Sequence, residues 1–125
     1  MKIFKILDFM RLYNIIKDKA MSVKTAYKFH QLVEKLRPEQ EFYESRLQQI
    51  LAKYGQVDSE GNFIYTDNGA GIKIKEDMLA DCQSEINELS SLEIDLPPIR
   101  FSLDELEGLD LPLSQLEVLF DFVEE

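Results

Sequence analysis

The chain has 125 residues, 45% of them hydrophobic, and a net charge of −10. This length and composition are typical of one soluble globular domain, residues 1–125, which can fold without disulfides or a structural metal. The only cysteine, Cys82, excludes an internal disulfide. No apolar run approaches the ~18 residues that a membrane-spanning helix needs. We therefore expect a cytoplasmic protein.

Charge is unevenly distributed along the chain. Residues 1–54 carry 11 Lys or Arg and 6 Asp or Glu, a net charge of +5, whereas residues 55–125 carry 3 and 18, a net charge of −15. A basic half can lie on the acidic half of the same chain or of a neighbour, and an acidic face can attract a basic partner. A solvated acidic surface that only keeps the protein soluble is the simpler alternative.

The first elements are short. Residues 2–7 fit either a strand or the start of a helix, because periodicity cannot separate the two over so few positions. From Asp8 onward, the spacing of Phe9, Tyr13 and Ile16 predicts a helix. Ser22 is then a good N-cap for the next helix.

A long apolar seam follows. Its residues recur at alternating steps of three and four, which places them on one side of a single helix. Such a seam needs a partner surface, either in the same chain or on another molecule. The seam consists of Ala26, Phe29, Val33, Leu36, Gln40, Tyr43, Leu47, Ile50 and Tyr54.

Pro38 falls inside this predicted helix, where a proline removes one backbone hydrogen bond at a cost of ~3 kcal/mol. One kinked helix over 23–54 is favoured, because the spacing of the seam continues across Pro38. The alternative is a break, in which Lys35 and Arg37 close one helix and Glu39 opens the next.

The sequence changes character after Gly55, which ends the long helix. Turn-forming residues at 60–62 and 67–71 adjoin two β-prone runs, 63–65 and 72–74. This pattern predicts a β-hairpin.

Another helix is predicted from about Lys75 to Ser90. Its antiparallel return onto the long helix would bury the seams of both. The predicted fold class is therefore mainly α with a small β-hairpin (α+β), made of a long helix, a hairpin, a return helix and short C-terminal helices. The shorter seam consists of Leu79, Cys82, Ile86 and Leu89.

The C-terminal part begins with polar and apolar alternation over 93–96, which predicts a strand. Two capping boxes, Ser102 with Glu105 and Ser114 with Glu117, then predict two short helices.

The last predicted helix, 115–123, is apolar on nearly every side. A helix of this kind is buried. It therefore fills the core of its own chain or docks into the groove of a partner or a second copy. The apolar residues of this tail are Leu113, Leu116, Val118, Leu119, Phe120, Phe122 and Val123.

No constellation of catalytic or ligand-binding residues is evident. One histidine, His30, and one cysteine, Cys82, do not make a zinc site, and Cys82 is expected to be buried at its seam position. Gly69 and Gly71 lack the third glycine of a dinucleotide loop. The carboxylates of 104–110 suit helix capping better than cation binding. We predict a protein that is not an enzyme and needs no cofactor or metal.

Short motifs and their order carry a family resemblance. They are VKTAYK at 23–28, FYESR at 42–46, KYG at 53–55, the Gly-rich predicted hairpin, and the stretch from EIDL at 93–96 to Leu119. In this order they resemble small phage- and prophage-encoded proteins without an assigned biochemical function. The helix–hairpin–helix order is also similar to the subunits of prefoldin-type chaperones, a likeness of shape that implies no function.

The sequence predicts a non-enzymatic interaction or assembly protein of phage or mobile-element type, which binds a protein partner or its own second copy through apolar helical surfaces. The alternative is an acidic inhibitor that occupies a nucleic-acid-binding partner, since residues 76–125 carry 15 carboxylates and one arginine. We expect no direct binding of nucleic acid, membrane or a small-molecule substrate. The predicted contact residues are Tyr43, Leu47, Ile50, Tyr54, Leu116, Leu119, Phe120, Phe122 and Val123.

Overall fold

The computed structural model describes residues 1–66, 69 and 71–124. The chain divides into two compact units: unit 1 comprises Met1–Glu41 with Glu93–Glu125, and unit 2 comprises Phe42–Leu92. The single domain expected from the sequence stays a prediction. The helices are α1 (Phe4–Ile16), α2 (Val23–Tyr54), α3 (Leu79–Ser90), α4 (Leu103–Glu107) and α5 (Leu113–Leu119), with 3₁₀ turns at Glu76–Met78 and Phe120–Phe122.

The start of the chain is helical rather than a strand. Helix α1 begins at Phe4, and Ile6 and Phe9 on one of its sides are fully buried. Lys2 lies outside the helix and makes an isolated antiparallel bridge with Glu93. The open choice at residues 2–7 is therefore decided in favour of a helix from residue 4 onward.

Helix α2 begins and continues as its sequence predicts. The Ser22 hydroxyl accepts a hydrogen bond from the Thr25 backbone N–H at 3.2 Å, which confirms Ser22 as the N-cap. Pro38 lies inside the helix, so the alternative of a break is wrong. Pro38 is exposed while Leu36 is buried, so the backbone position without an N–H lies away from the core.

Four aromatic side chains in contact with one another form the centre of unit 1. The Phe9 ring lies 5.6 Å from that of Phe122 and 6.4 Å from that of Phe29. Phe29 in turn packs against Phe101, with ring centroids 4.6 Å apart. All four rings are buried, and pairs at such distances gain energy beyond the area they bury. The cluster joins α1, α2 and the C-terminal segment into one core.

Ion pairs in unit 1 link the basic N-terminal part of the chain to its acidic C-terminal segment. Within this unit, these pairs correspond to one of the alternatives raised by the charge distribution, a basic segment that lies on an acidic segment of the same chain. Since the exposed pairs each contribute little, their main effect is on how the segments align. The pairs are Lys2–Glu93 at 3.9 Å, Lys5–Asp121 at 3.3 Å and Lys28–Glu105 at 2.7 Å.

In unit 2, the C-terminal part of α2 and helix α3 run antiparallel. The Tyr43 hydroxyl lies 3.3 Å from the Ser90 hydroxyl, and Lys53 Nζ lies 3.3 Å from Glu85 Oε1. A later position on α2 thus meets an earlier one on α3, which confirms the predicted return helix. On the shorter seam, Cys82 and Leu89 are buried, Ile86 is half-buried and Leu79 is exposed.

The predicted β-hairpin is wrong, and with it the α+β class. The chain is mainly helical, with 62% helix and 8% strand or bridge, and the part that the structure describes contains no sheet. Between α2 and α3 the described backbone makes isolated antiparallel bridges, which join Gly55 to Ile74, Val57 to Phe63, and Tyr65 to Ile72. The turn predicted at 67–71 includes Asp67, Asn68 and Ala70, which lie outside the described residues.

The hydrogen bonds of this region form separate bridges rather than a continuous ladder. The Ile64 N–H donates to the Gln56 carbonyl at 2.9 Å, and the Lys73 N–H donates to the Ile64 carbonyl at 2.7 Å. The run 63–65 thus contacts a different segment on each side, and each contact stays a single bridge rather than a series of consecutive pairs. The helix–hairpin–helix order that suggested a likeness to prefoldin-type subunits is therefore not seen in the described residues, because they form no hairpin.

Two predictions near the C-terminus are also wrong. Residues 93–96 form no strand, and the first of them makes only the isolated bridge to Lys2. Helix α5 begins at Leu113, so Ser114 lies inside the helix and does not cap it. Pro112 occupies the N-cap position instead, without a side-chain hydrogen bond to the helix.

A Gly55→Ala variant tests the close packing after α2. A Cβ at this position would lie 2.8 Å from the Leu51 carbonyl oxygen and 2.9 Å from side-chain atoms of Ile72 and Phe63. We expect a loss of about 1–3 kcal/mol in unfolding free energy from this overlap, measured by urea denaturation. Gly71→Ala is the control, because nothing lies within 4 Å of its Cβ position. Equal stability of the two variants would contradict the close approach.

Candidate functional site

The seam residues predicted to contact a partner lie in unit 2, and α3 occupies the same side of α2. Tyr43, Ile50 and Tyr54 are buried, and Leu47 is half-buried. The Tyr43 hydroxyl is within hydrogen-bond distance of Ser90 on α3. This part of the seam is therefore covered largely by the chain itself.

The predicted contact residues of the tail divide between core and surface. Leu119 and Phe122 are fully buried in unit 1, and Leu116 and Val123 are half-buried. Phe120 is 53% exposed. The helix predicted over 115–123 is shorter than expected, since α5 ends at Leu119 and a 3₁₀ turn follows. The tail thus mainly fills its own core, and Leu113 and Phe120 are its exposed apolar side chains.

An apolar groove of about 500 Å³ lies between α1 and α5 in unit 1. Phe4 and Ile15 line it as exposed side chains, and Leu12 is buried beneath the surface. Val118 lines it from α5, and charged residues of both signs stand around these apolar groups. We call this site the α1–α5 groove and define it by Phe4, Leu12, Ile15 and Val118.

A smaller groove of about 150 Å³ lies between α2 and α3 in unit 2. Phe42 of α2 and Leu92, just after α3, are its exposed apolar residues. Arg46 supplies a positive charge from α2, whereas Glu85 and Glu88 supply negative charges from α3. We call this surface the α2–α3 face and define it by these five residues.

A shielded polar cluster surrounds Glu105 in unit 1. Its carboxylate accepts hydrogen bonds from Lys28 Nζ at 2.7 Å, from the Thr25 hydroxyl at 3.1 Å and from the Ser102 backbone N–H at 3.0 Å. The predicted capping box of Ser102 and Glu105 is confirmed. Burial opposes ionisation, but the hydrogen bonds and the Lys28 charge outweigh it and lower the pKa of Glu105 to about 2. Since the partners of Glu105 lie within the chain, we interpret this cluster as one that stabilises the fold by linking α4 to α2.

A second polar cluster joins α2 to α3 in unit 2. Glu85 accepts hydrogen bonds from the Tyr54 and Lys53 side chains, and these bonds lower the pKa of Glu85. The same contact to Glu85 raises the pKa of Tyr54. Lys53 Nζ also lies 5.0 Å from the centre of the Tyr54 ring, a distance at which a cation and an aromatic ring attract. The ionised carboxylate and the neutral phenol therefore hold the two helices together.

The remaining reactive side chains are poorly placed for chemistry. Burial raises the pKa of the Cys82 thiol, with the nearby Glu85 charge as a further cause, so the thiolate that a nucleophile needs is disfavoured. His30 is exposed and stacks on Tyr27, with ring centroids 6.1 Å apart. Within the described ranges, no group of three or more His, Cys, Asp or Glu is arranged to hold a metal ion.

Sequence reasoning missed the α1–α5 groove and the two apolar ends of the α2–α3 face. A signal for the first was present, because Phe4 and Ile15 lie 11 residues apart, about three helical turns, on one side of α1. The second was hidden because Phe42 and Leu92 belong to neither seam. Phe42 flanks the seam residue Tyr43 and Leu92 follows the end of α3, so only the placement of α3 brings the two to one groove.

No family model, curated protein or solved structure matches this chain. None of its described helices combines the length and the apolar character that crossing a bilayer requires.

Proposed function

We propose that this chain is a non-enzymatic interaction protein of the phage or mobile-element type, which binds a protein partner through an apolar helical surface. The α1–α5 groove carries the proposal, because it leaves Phe4 and Ile15 exposed beside buried Leu12. Several hundred Å³ of largely apolar space with a charged rim suits apolar side chains of another protein. A lone free thiol, on Cys82, fits a reducing compartment, so we propose a cytoplasmic location.

The occupant that fits this groove best is an amphipathic helix of the partner. The walls are themselves helices, and a third helix can lay its apolar side chains between them. The rim carries Lys5 and Arg11 as well as Asp8, Glu117 and Asp121. A rim of both signs suits a helix with mixed charges better than a uniformly acidic or basic one.

An Ile15→Asp variant tests this function. The protein is immobilised and partners are captured from the lysate of its natural host at low salt and at 0.5 M salt, then identified and purified for direct binding. We expect an apolar contact to persist at 0.5 M salt, because only charge interactions are screened. Ile15→Asp should weaken binding of the purified partner at least about 10-fold, since a carboxylate would be buried against apolar groups.

Asn14→Asp is the matched control, since it adds the same charge at the adjacent exposed position outside the groove. It should bind the partner like the wild type. A partner that binds both variants equally would show that the α1–α5 groove is not the binding site. Failure to retain any partner at either salt concentration would contradict the proposed function.

An acidic inhibitor of a nucleic-acid-binding protein is the second candidate. Asp104, Glu107 and Asp110 favour it, because all three carboxylates are exposed and, in the described structure, outside the ion pairs that engage Glu105. Binding of this kind should fall steeply between low salt and 0.5 M salt. The same capture experiment separates the two functions, because salt-insensitive binding that Ile15→Asp abolishes contradicts inhibition by charge.

A further inference from the structure

The α2–α3 face of unit 2 is self-complementary in its charges and in its apolar groups. Its positive charge, Arg46, comes from α2, and its negative charges, Glu85 and Glu88, come from α3. Phe42 on α2 and Leu92 after α3 are 51% and 41% exposed. If α2 of one copy lies on α3 of another, the cation of α2 therefore meets the anions of α3. The apolar residue of α2 then meets the apolar residue that follows α3.

We propose that this face binds a second copy of the chain, with α2 of each copy lying on α3 of the other. Within one copy α2 and α3 run antiparallel, as the pairs Tyr43–Ser90 and Lys53–Glu85 show. A two-fold axis parallel to the helices then makes every neighbouring pair of the four helices antiparallel, the usual order in a four-helix bundle. Arg46 of each copy faces Glu88 of the other, and Phe42 faces Leu92.

The size of the face defines the kind of dimer. Helix α3 has 12 residues, about 18 Å at ~1.5 Å per residue, and two helices side by side are roughly 20 Å wide. The contact therefore covers roughly 350–500 Å² on each copy, below the ~800 Å² of a standard interface. We expect a weak, reversible dimer rather than a permanent one.

Charge reversal across the face supplies the test. Sedimentation equilibrium of the full chain is measured from 1 to 500 µM for the wild type, Arg46→Glu and Glu88→Arg. Each variant alone should dimerise at least about 10-fold more weakly, because like charges then face each other across the two-fold axis. A mixture of the two variants should recover wild-type affinity within a few-fold, since the glutamate introduced in one chain then faces the arginine introduced in the other.

The mixture shows whether the altered charges act between copies or within one copy. Mixing changes only the contacts between copies, so recovery of the dimer can come only from those. Circular dichroism checks that both variants fold, and Phe42→Ser, which changes no charge, provides an independent loss of dimer. Arg37→Glu is the matched control, because it reverses an exposed charge on the same helix outside unit 2. It should dimerise like the wild type.

A wild-type protein that stays monomeric to 500 µM would overturn the proposal, as would single variants that dimerise normally or a mixture that does not recover. The proposal rests on the view that this is an interaction protein, but it uses a different surface from the α1–α5 groove. Loss of the dimer with retained capture of an Ile15-dependent partner would therefore reject only the dimer. Loss of that partner with an intact dimer would reject only the proposed groove function.

Discussion

A Phe122→Ala variant is expected to lose about 3–5 kcal/mol of unfolding free energy. Phe122 is 0% exposed and packs on Phe9, which in turn packs on Phe29 in the aromatic core of unit 1. Removal of the ring forfeits its burial and leaves a cavity, because the surrounding rings come from α1 and α2 and cannot all move inward. Urea denaturation followed by circular dichroism measures the loss.

Phe120→Ala is a matched control for this prediction, since the same ring is removed two positions earlier in the same 3₁₀ turn. Phe120 is 53% exposed, and its removal should cost less than about 1 kcal/mol. Similar losses in both variants would show that the tail does not fill the core as described. If Phe120→Ala weakens the binding of a purified partner while stability is kept, Phe120 is the tail residue that serves contact rather than folding.

The sequence was sufficient to predict those helices that have a long apolar repeat or a specific capping residue. The seam repeats over 29 residues, from Ala26 to Tyr54, and so defines one side of α2 even with Pro38 inside it. The caps at Ser22 and Ser102 could be predicted because each hydroxyl accepts from the backbone N–H three residues later. This local bond does not depend on tertiary structure.

The hairpin could not be judged from the sequence because its runs were too short. Three β-prone residues at 63–65 are equally consistent with a strand and with single bridges. Which one forms depends on the neighbours that reach the backbone, and Ile64 has Gln56 on one side and Lys73 on the other. The error at Ser114 is similar, since Pro112 starts α5 earlier than the capping signal indicates.

The candidate binding surfaces were still harder to predict from the sequence. A seam identifies the apolar side of a helix but not the element or molecule that covers it. Tyr43 and Ile50 have the spacing of an interface and are covered within their own chain. Ile15 and Phe42 lie beside the strongest apolar positions and stay exposed. The proposed contacts therefore rest on exposed apolar residues beside a buried seam rather than on the seam itself.

A Glu105→Ala variant is expected to lose about 2–4 kcal/mol of unfolding free energy. The substitution removes the acceptor for Lys28, Thr25 and the Ser102 N–H. Lys28 would be left without its partner although its side chain is only 17% exposed, and a shielded charge without a partner is costly. Urea denaturation at pH 7 measures the loss.

The pH dependence of stability provides a sharper test of the same cluster. The pKa of Glu105 is lowered from 4.5 to about 2 in the folded protein, so the unfolded chain takes up the proton first as the pH falls. The contribution of Glu105 is therefore complete above about pH 5 and disappears progressively toward pH 2, a change of about 2–3 kcal/mol. Glu105→Gln cannot titrate, so its stability should fall less over this interval than that of the wild type.

Glu105→Gln is also the matched control for the loss of the side chain, because glutamine at this position preserves a capping box. Its cost at pH 7 should lie below that of Glu105→Ala, since it keeps one oxygen that accepts from the Ser102 N–H. It loses the charge that faces Lys28 and the second acceptor oxygen, which the Thr25 hydroxyl uses. If wild type and Glu105→Gln lose stability in parallel from pH 5 to pH 2, the carboxylate does not have the lowered pKa. The joint between α4 and α2 would then depend on Leu106 and its apolar neighbours rather than on the ion pair.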